Sequence, residues 1–249
     1  MLKRILSRAI PEHEWPVWII PATLFAAIFA CSLLVSFIYF GPGLDIIRGA
    51  SYLPSSSSAR VRVEVGGTLF AIPAHYTRSR RARRAGLMEH IDLQVLGPEL
   101  VPFRQDLAAD FLRTDDNSSL IIISLRSGAD TLPERRRFDA IYKPYLRDSG
   151  TVDDNGLQVF NFRDDAPYAG KQLFRGLPFG TREKRLAPPL LLCDAPDIAG
   201  AQCESRFALG GTAQVSYRFK RHILPQWEEL DANIRALIRN FRAAARTSE

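Results

Sequence analysis

Residues 204–219 read ESRFALGGTAQVSYRF and predict a β-hairpin. On each side of Gly210 and Gly211, apolar residues alternate with polar ones, which is the pattern of a strand with one buried face. A pair of glycines between two such runs supplies the positive φ angles that a tight hairpin turn needs. An antiparallel sheet is therefore the starting point for this fold.

Other strand-length segments lie on the N-terminal side of this hairpin. The run at 120–123 is continuously aliphatic with turn residues on both sides, as in a fully buried strand. Gly66 and Gly67 separate two alternating runs and predict a second hairpin. The predicted strands are residues 61–65, 69–72, 91–96, 120–123, 157–162, 171–176, 189–193, 204–209 and 212–219.

Helices are predicted at 103–112 and 130–146, and most clearly after residue 222. There the apolar residues recur at helical spacing, acidic residues crowd the first turns and arginines the last, which is the order that the helix dipole favours. The apolar stripe consists of Leu224, Trp227, Leu230, Ile234, Leu237, Ile238 and Phe241. Strands dominate and helices are inserted singly, so the sequence predicts an α+β domain with a mainly antiparallel sheet and a C-terminal amphipathic helix.

Residues 17–40, VWIIPATLFAAIFACSLLVSFIYF, contain no charged side chain. At about 1.5 Å per residue, this run is roughly 36 Å long as a helix, enough to cross a bilayer. Lys3, Arg4 and Arg8 precede it, which by the positive-inside bias places the N-terminus in the cytoplasm. We expect a single-pass signal-anchor in a bacterial inner membrane. The alternatives are a cleaved signal peptide and a lipoprotein modified at Cys31, and the length of the run argues against both.

The predicted organisation follows from this anchor. It comprises a cytoplasmic tail (1–16), a transmembrane signal-anchor helix (17–40), a flexible serine-rich linker (41–59) and one periplasmic domain (60–249). The lipid bilayer is therefore a predicted partner.

Three alanines share one face of the predicted span. Ala22, Ala26 and Ala30 recur every four residues, and small residues at this spacing let another helix approach closely. We expect them to pack against a membrane-protein partner or a second copy of the chain. The simpler alternative is that alanine is common in membrane helices.

The cysteines fit this topology. Cys31 lies within the predicted span, and Cys193 and Cys203 lie in the predicted periplasmic domain, separated by a polar, turn-rich loop. In an oxidising compartment, such a pair predicts a disulfide. Two unpaired buried thiols are the alternative.

No motif in the sequence carries recognisable chemistry. We find no nucleophile elbow, phosphate loop, dinucleotide fingerprint or metal-histidine pair, and predict no cofactor and no metal site. The paired aspartates lie among turn residues. The net charge of +6 is too small to indicate nucleic-acid binding.

A cluster of five arginines stands out. Arg78, Arg80, Arg81, Arg83 and Arg84 lie within seven consecutive positions. Guanidinium groups match phosphate and carboxylate geometry, so this segment, the arginine loop, is a candidate for binding an anionic surface or a partner. A solvated basic loop is the alternative.

Three short segments carry a resemblance to a known class of proteins. They are PVWIIP at 16–21, IPAHY at 72–76 and SYRFKR at 216–221. In this layout the chain resembles bacterial inner-membrane proteins with one N-terminal transmembrane helix and a periplasmic domain. The resemblance implies a location and a topology, and no activity.

Two functions remain open from the sequence. The first is a non-catalytic accessory or scaffold protein that binds a membrane or envelope complex, which the alanine face and the arginine loop favour. The second is a cell-envelope hydrolase or transferase with dispersed active-site residues. A pocket that brings His75 or His90 together with Asp92 or Glu89 would favour the enzyme.

Overall fold

The computed structural model describes residues 18–40, 52–128, 132–176 and 188–246. The chain forms two compact units, Met1–Arg48 and Gly49–Glu249, and each is described by itself. The predicted cytoplasmic tail and residues 41–51 of the predicted linker lie outside the described residues.

The first unit contains the helix α1, Ile19–Phe40. It covers most of the predicted span, and Ala22, Ala26 and Ala30 are exposed on its surface. Over the positions whose side chains the structure describes, no helix is long and apolar enough to cross a membrane. The membrane anchor stays a prediction.

The second unit begins with a three-stranded sheet. Strands β1 (Arg60–Val65) and β2 (Thr68–Pro73) form the predicted hairpin, and the short β3 (Gly86–Leu87) pairs in parallel with β1. At the hairpin turn Gly66 has φ +55°, and a Cβ there would lie 2.8 Å from the backbone nitrogen of Ala213. Only glycine suits this close approach.

An eight-stranded antiparallel sheet makes up most of the second unit. Its spatial order is β4-β5-β11-β10-β9-β8-β7-β6. The strands are β4 (His90–Leu96), β5 (Leu120–Ser127), β6 (Thr151–Val152), β7 (Leu157–Asn161), β8 (Lys171–Gly176), β9 (Leu190–Asp194), β10 (Gln202–Gly210) and β11 (Ala213–Lys220). All the strands predicted from alternation are present. The two-residue strands β3 and β6 were not predicted, because two residues are too few to show a period.

The described α-helices of the second unit are α2 (Ala108–Leu112), α3 (Glu134–Arg137) and α4 (Trp227–Arg246). The helix predicted over 130–146 is present from Glu134 to Tyr145 within the described residues, but it is not a regular α-helix throughout. The chain continues from α3 as a π turn at Phe138–Tyr142 and a 3-10 turn at Lys143–Tyr145. Pro144 lacks the N–H that would continue the α-helical hydrogen bonding.

Helix α4 is the centre of the main core. Its residues Leu230, Ile234 and Ile238 have no exposed surface. They belong to one apolar cluster with the inward-facing residues of both sheets, and α4 contacts β2 directly. The amphipathic stripe predicted from the sequence is therefore the surface that joins the two sheets.

Two smaller cores lie elsewhere in the unit. Phe138, Phe160 and Leu173 form one beneath the turns that follow α3. Leu96, Phe103 and Phe111 form the other around α2.

The predicted disulfide is present. Cys193 and Cys203 lie opposite each other on β9 and β10, with sulfur atoms 2.01 Å apart. Cys31 is free.

Candidate functional site

The side of β5, β11 and β10 that points away from α4 carries polar and charged side chains. We call it the outer face. On β11, Val215, Tyr217 and Phe219 point into the core, so Ser216 and Arg218 point outward. Pairing of the strands places Arg218 between Ile122 of β5 and Glu204 of β10. The outer face is thus a largely polar surface of the sheet.

A pocket of about 210 Å³ opens on this face. Three cationic side chains line it: Arg113 from the segment after α2, and Arg218 and Lys220 from β11. Its other lining residues include Ser118, Gln202, Leu120 and Ile122. We call this the basic pocket.

The three cations differ in how they are paired. Arg113 contacts Asp115 at 3.0 Å, and both side chains are about half exposed. Lys220 is 12% exposed, donates to the carbonyl of Gly200 at 3.3 Å and lies 3.8 Å from Asp116. Arg218 is exposed, and its guanidinium makes no hydrogen bond or ion pair within the described part of the chain.

The carboxylate that lies opposite Arg218 on β10 is paired with a different arginine. Glu204 lies opposite Arg218 but accepts a hydrogen bond of 2.6 Å from Nε of Arg206. Glu204 and Arg206 also border a second pocket, of about 20 Å³, with Arg137 and Tyr142. This pocket has room for about one water molecule.

Behind the outer face, a buried polar network ties α4 to the sheet. The Tyr217 hydroxyl donates to Asp231 at 2.8 Å, and Nε of Arg235 donates to the other Asp231 oxygen at 2.7 Å. Arg235 also donates to Glu134 at 3.3 Å and lies 4.2 Å above the ring of Phe207.

The pKa values in this network fit a structural role. Burial raises the pKa of the Tyr217 phenol well above its usual value. Burial acts to lower the pKa of Arg235, but the interactions with Asp231, Tyr217 and Glu134 together outweigh burial, and the pKa is raised. At neutral pH the phenol therefore stays neutral and the guanidinium charged.

The structure divides the predicted arginine loop into two groups. Arg83 donates to the carbonyl of Leu53 at 2.8 Å and to the Thr77 hydroxyl at 3.1 Å. Arg78 lies 5.9 Å from the ring of Tyr52, and its carbonyl accepts a hydrogen bond from the Leu53 N–H. These two arginines attach the end of the predicted linker to the domain. The exposed members are Arg80, Arg81 and Arg84.

The histidines named for the enzyme alternative lie apart from both pockets. His75 packs on Tyr76 with ring centres 4.7 Å apart, and burial lowers its pKa. His90 is exposed at the start of β4, and Asp92 accepts a hydrogen bond of 2.5 Å from Ser124. Within the described ranges, no cluster of His, Cys, Asp or Glu could hold a metal ion.

Sequence reasoning missed the basic pocket because its members are far apart in the chain. One signal was present: Arg218 and Lys220 alternate with buried Tyr217 and Phe219, so a strand must place both cations on one face. Nothing in the sequence placed Arg113 beside them.

The fold and this face define an α+β protein with a C-terminal helix packed across an antiparallel sheet. No family model matches the chain, and no curated protein matches its sequence. A similar solved structure is that of an immunity protein of the type IV secretion system of Stenotrophomonas maltophilia. The two share 18% sequence identity with a TM-score of 0.51, over 75% of this chain and 94% of the other. The likeness shows that the two proteins share a fold.

Proposed function

We propose that this chain is a non-catalytic protein of the bacterial envelope that binds another protein and blocks its harmful activity, as an immunity protein does. One observation carries the proposal: the likeness to an immunity protein extends over 94% of that protein's chain. The polar outer face supports it, because exposed polar and charged side chains can make the hydrogen bonds that protein–protein interfaces contain.

The location belongs to the same proposal. The charge-free run at 17–40 and the basic residues before it favour an inner-membrane anchor with a periplasmic domain. The Cys193–Cys203 disulfide supports an oxidising compartment. We expect a periplasmic reporter fused after Glu249 to be active and the N-terminus to remain uncleaved. A mature chain beginning after Phe40 would contradict the anchor.

The alanine face belongs to the proposal as the contact for a membrane-protein partner or a second copy. Ala22, Ala26 and Ala30 are exposed on α1, as such a contact requires. Replacing all three with leucine should reduce cross-linking in the membrane, whereas leucine at the neighbouring Ala27 should not.

Competition between strains tests the function. A strain lacking the gene is grown on a surface in contact with its parent, and separately across a membrane filter. We expect the deletion strain to lose viability only in contact, and to recover when the gene is restored. If it survives beside the parent but loses an envelope activity, the hydrolase or transferase alternative becomes the better description.

A further inference from the structure

We infer that the basic pocket binds an acidic side chain of the protein partner. This inference rests on the proposed function for the nature of the partner, and on the pocket itself for the chemistry of recognition.

The first argument is convergence. Arg218 and Lys220 are two residues apart on β11, so their Cβ atoms lie on one side of the sheet, about 7 Å apart. Arg113 reaches the same space from the segment after α2. A single ligand group in the pocket is therefore within reach of more than one cation.

The second argument is the number of unused donors. The ammonium of Lys220 has three donors, and its nearest contacts are one carbonyl at 3.3 Å and one carboxylate at 3.8 Å. The guanidinium of Arg218 has five N–H donors, and this side chain makes no hydrogen bond to the described residues. Arg113 uses one terminal nitrogen on Asp115.

The third argument is the position of the protein's own carboxylates. Asp115 and Asp116 have side chains 55% and 72% exposed, which places them at the rim in water. Glu204 is held by Arg206. An incoming carboxylate would meet Lys220 in a drier environment than either rim aspartate does, and charge pairs strengthen as water is excluded.

Size and lining favour a carboxylate carried on a short aliphatic stem. A volume of about 210 Å³ accommodates a glutamate side chain with space for water. Leu120 and Ile122 in the wall can contact its methylene groups, while a guanidinium can hold both carboxylate oxygens in a forked pair.

The test uses the full chain in phosphatidylcholine nanodiscs. The probe is a C-terminally amidated Gly-Glu-Gly-Glu-Gly peptide labelled with fluorescein. Its counterpart is the amidated Gly-Gln-Gly-Gln-Gly peptide with the same label, which lacks only the side-chain carboxylates, and the readout is anisotropy. Arg218→Gln is the pocket variant. Arg126→Gln is the matched control, because Arg126 is an exposed arginine of β5 that does not line the pocket.

We expect the wild-type protein to bind the glutamate peptide and not its glutamine counterpart. Loss of Arg218 should weaken binding about tenfold or more, as expected for charge-assisted hydrogen bonds, and loss of Arg126 less than about twofold. Arg113→Gln should act like the Arg218 variant. Absence of binding, or equal loss in the Arg126 and Arg218 variants, would overturn the inference.

The competition experiment separates this inference from the proposed function. If the parent kills the deletion strain and the Arg218 variant protects it fully, the partner does not use the pocket, and the inference fails while the function stands. If protection is lost with the Arg218 variant and kept with the Arg126 variant, the inference is supported. If no killing occurs, the proposed function fails and the peptide measurements alone decide whether the pocket takes a carboxylate.

Discussion

Replacing Asp231 with alanine should destabilise the second unit more than removal of any exposed acidic residue. Asp231 is 8% exposed and accepts hydrogen bonds from both Tyr217 and Arg235. Without it, Glu134 at 3.3 Å is the one carboxylate partner that the described residues leave to the Arg235 guanidinium, whose side chain is 13% exposed and which also lies over the Phe207 ring. Breaking a buried pair by removing one partner costs about 3–5 kcal/mol.

Urea unfolding of the second unit, followed through Trp227 fluorescence, measures this cost. With an m value of about 2 kcal/mol per molar, the midpoint should fall by roughly 1.5–2.5 M. Tyr217→Phe should cost less, about 1.5–3 kcal/mol, because Asp231 keeps its pair with Arg235.

The matched control is Glu229→Ala, an exposed acidic residue on the same helix. It removes the same charge near the helix N-terminus and should cost less than about 1 kcal/mol. Additive effects of Asp231→Ala and Tyr217→Phe, or a cost for Asp231→Ala no larger than that of the control, would show that the network does not hold α4 to the sheet.

Three further predictions concern other parts of the domain. In the arginine loop, Arg83→Gln should lower the melting temperature, because it removes the hydrogen bonds to Leu53 and Thr77. Replacing the exposed Arg80, Arg81 and Arg84 together with Gln should change the melting temperature by no more than about 1–2 °C and weaken binding to phosphatidylglycerol vesicles in a salt-dependent way. Unfolding of this triple variant would contradict the division of the loop into two groups. Cys193→Ser should lower the free energy of unfolding by about 2–3 kcal/mol, as measured by thermal denaturation. If a reductant does not change the melting temperature of the wild-type protein, the disulfide does not stabilise it. Burial lowers the pKa of His75 in the folded state, so as pH falls the unfolded chain takes up this proton first, and stability should decrease below about pH 6.5. His75→Gln should reduce the slope of stability against pH in this range. An unchanged slope would mean that other groups cause the pH dependence.

Local pattern predicted the longer strands and helices of this fold. The β10–β11 hairpin, the buried strand at 120–123 and the C-terminal helix were predicted because a strand or helix repeats its apolar residues at its own period. The disulfide followed from cysteine number and spacing. Local pattern did not predict the two-residue strands β3 and β6, nor the change from α-helix to π and 3-10 turns over residues 138–145.

The candidate site depended on long-range pairing that no local pattern encodes. Alternation placed Arg218 and Lys220 on one side of a strand, but only the packing of the segment after α2 brought Arg113 to them. Arg83 and Arg84 are adjacent residues of the same type, but Arg83 donates a hydrogen bond to the Leu53 carbonyl from a distant segment, whereas Arg84 is exposed. A side chain's direction is set by the backbone period, whereas its partners are set by which distant segments fold against it.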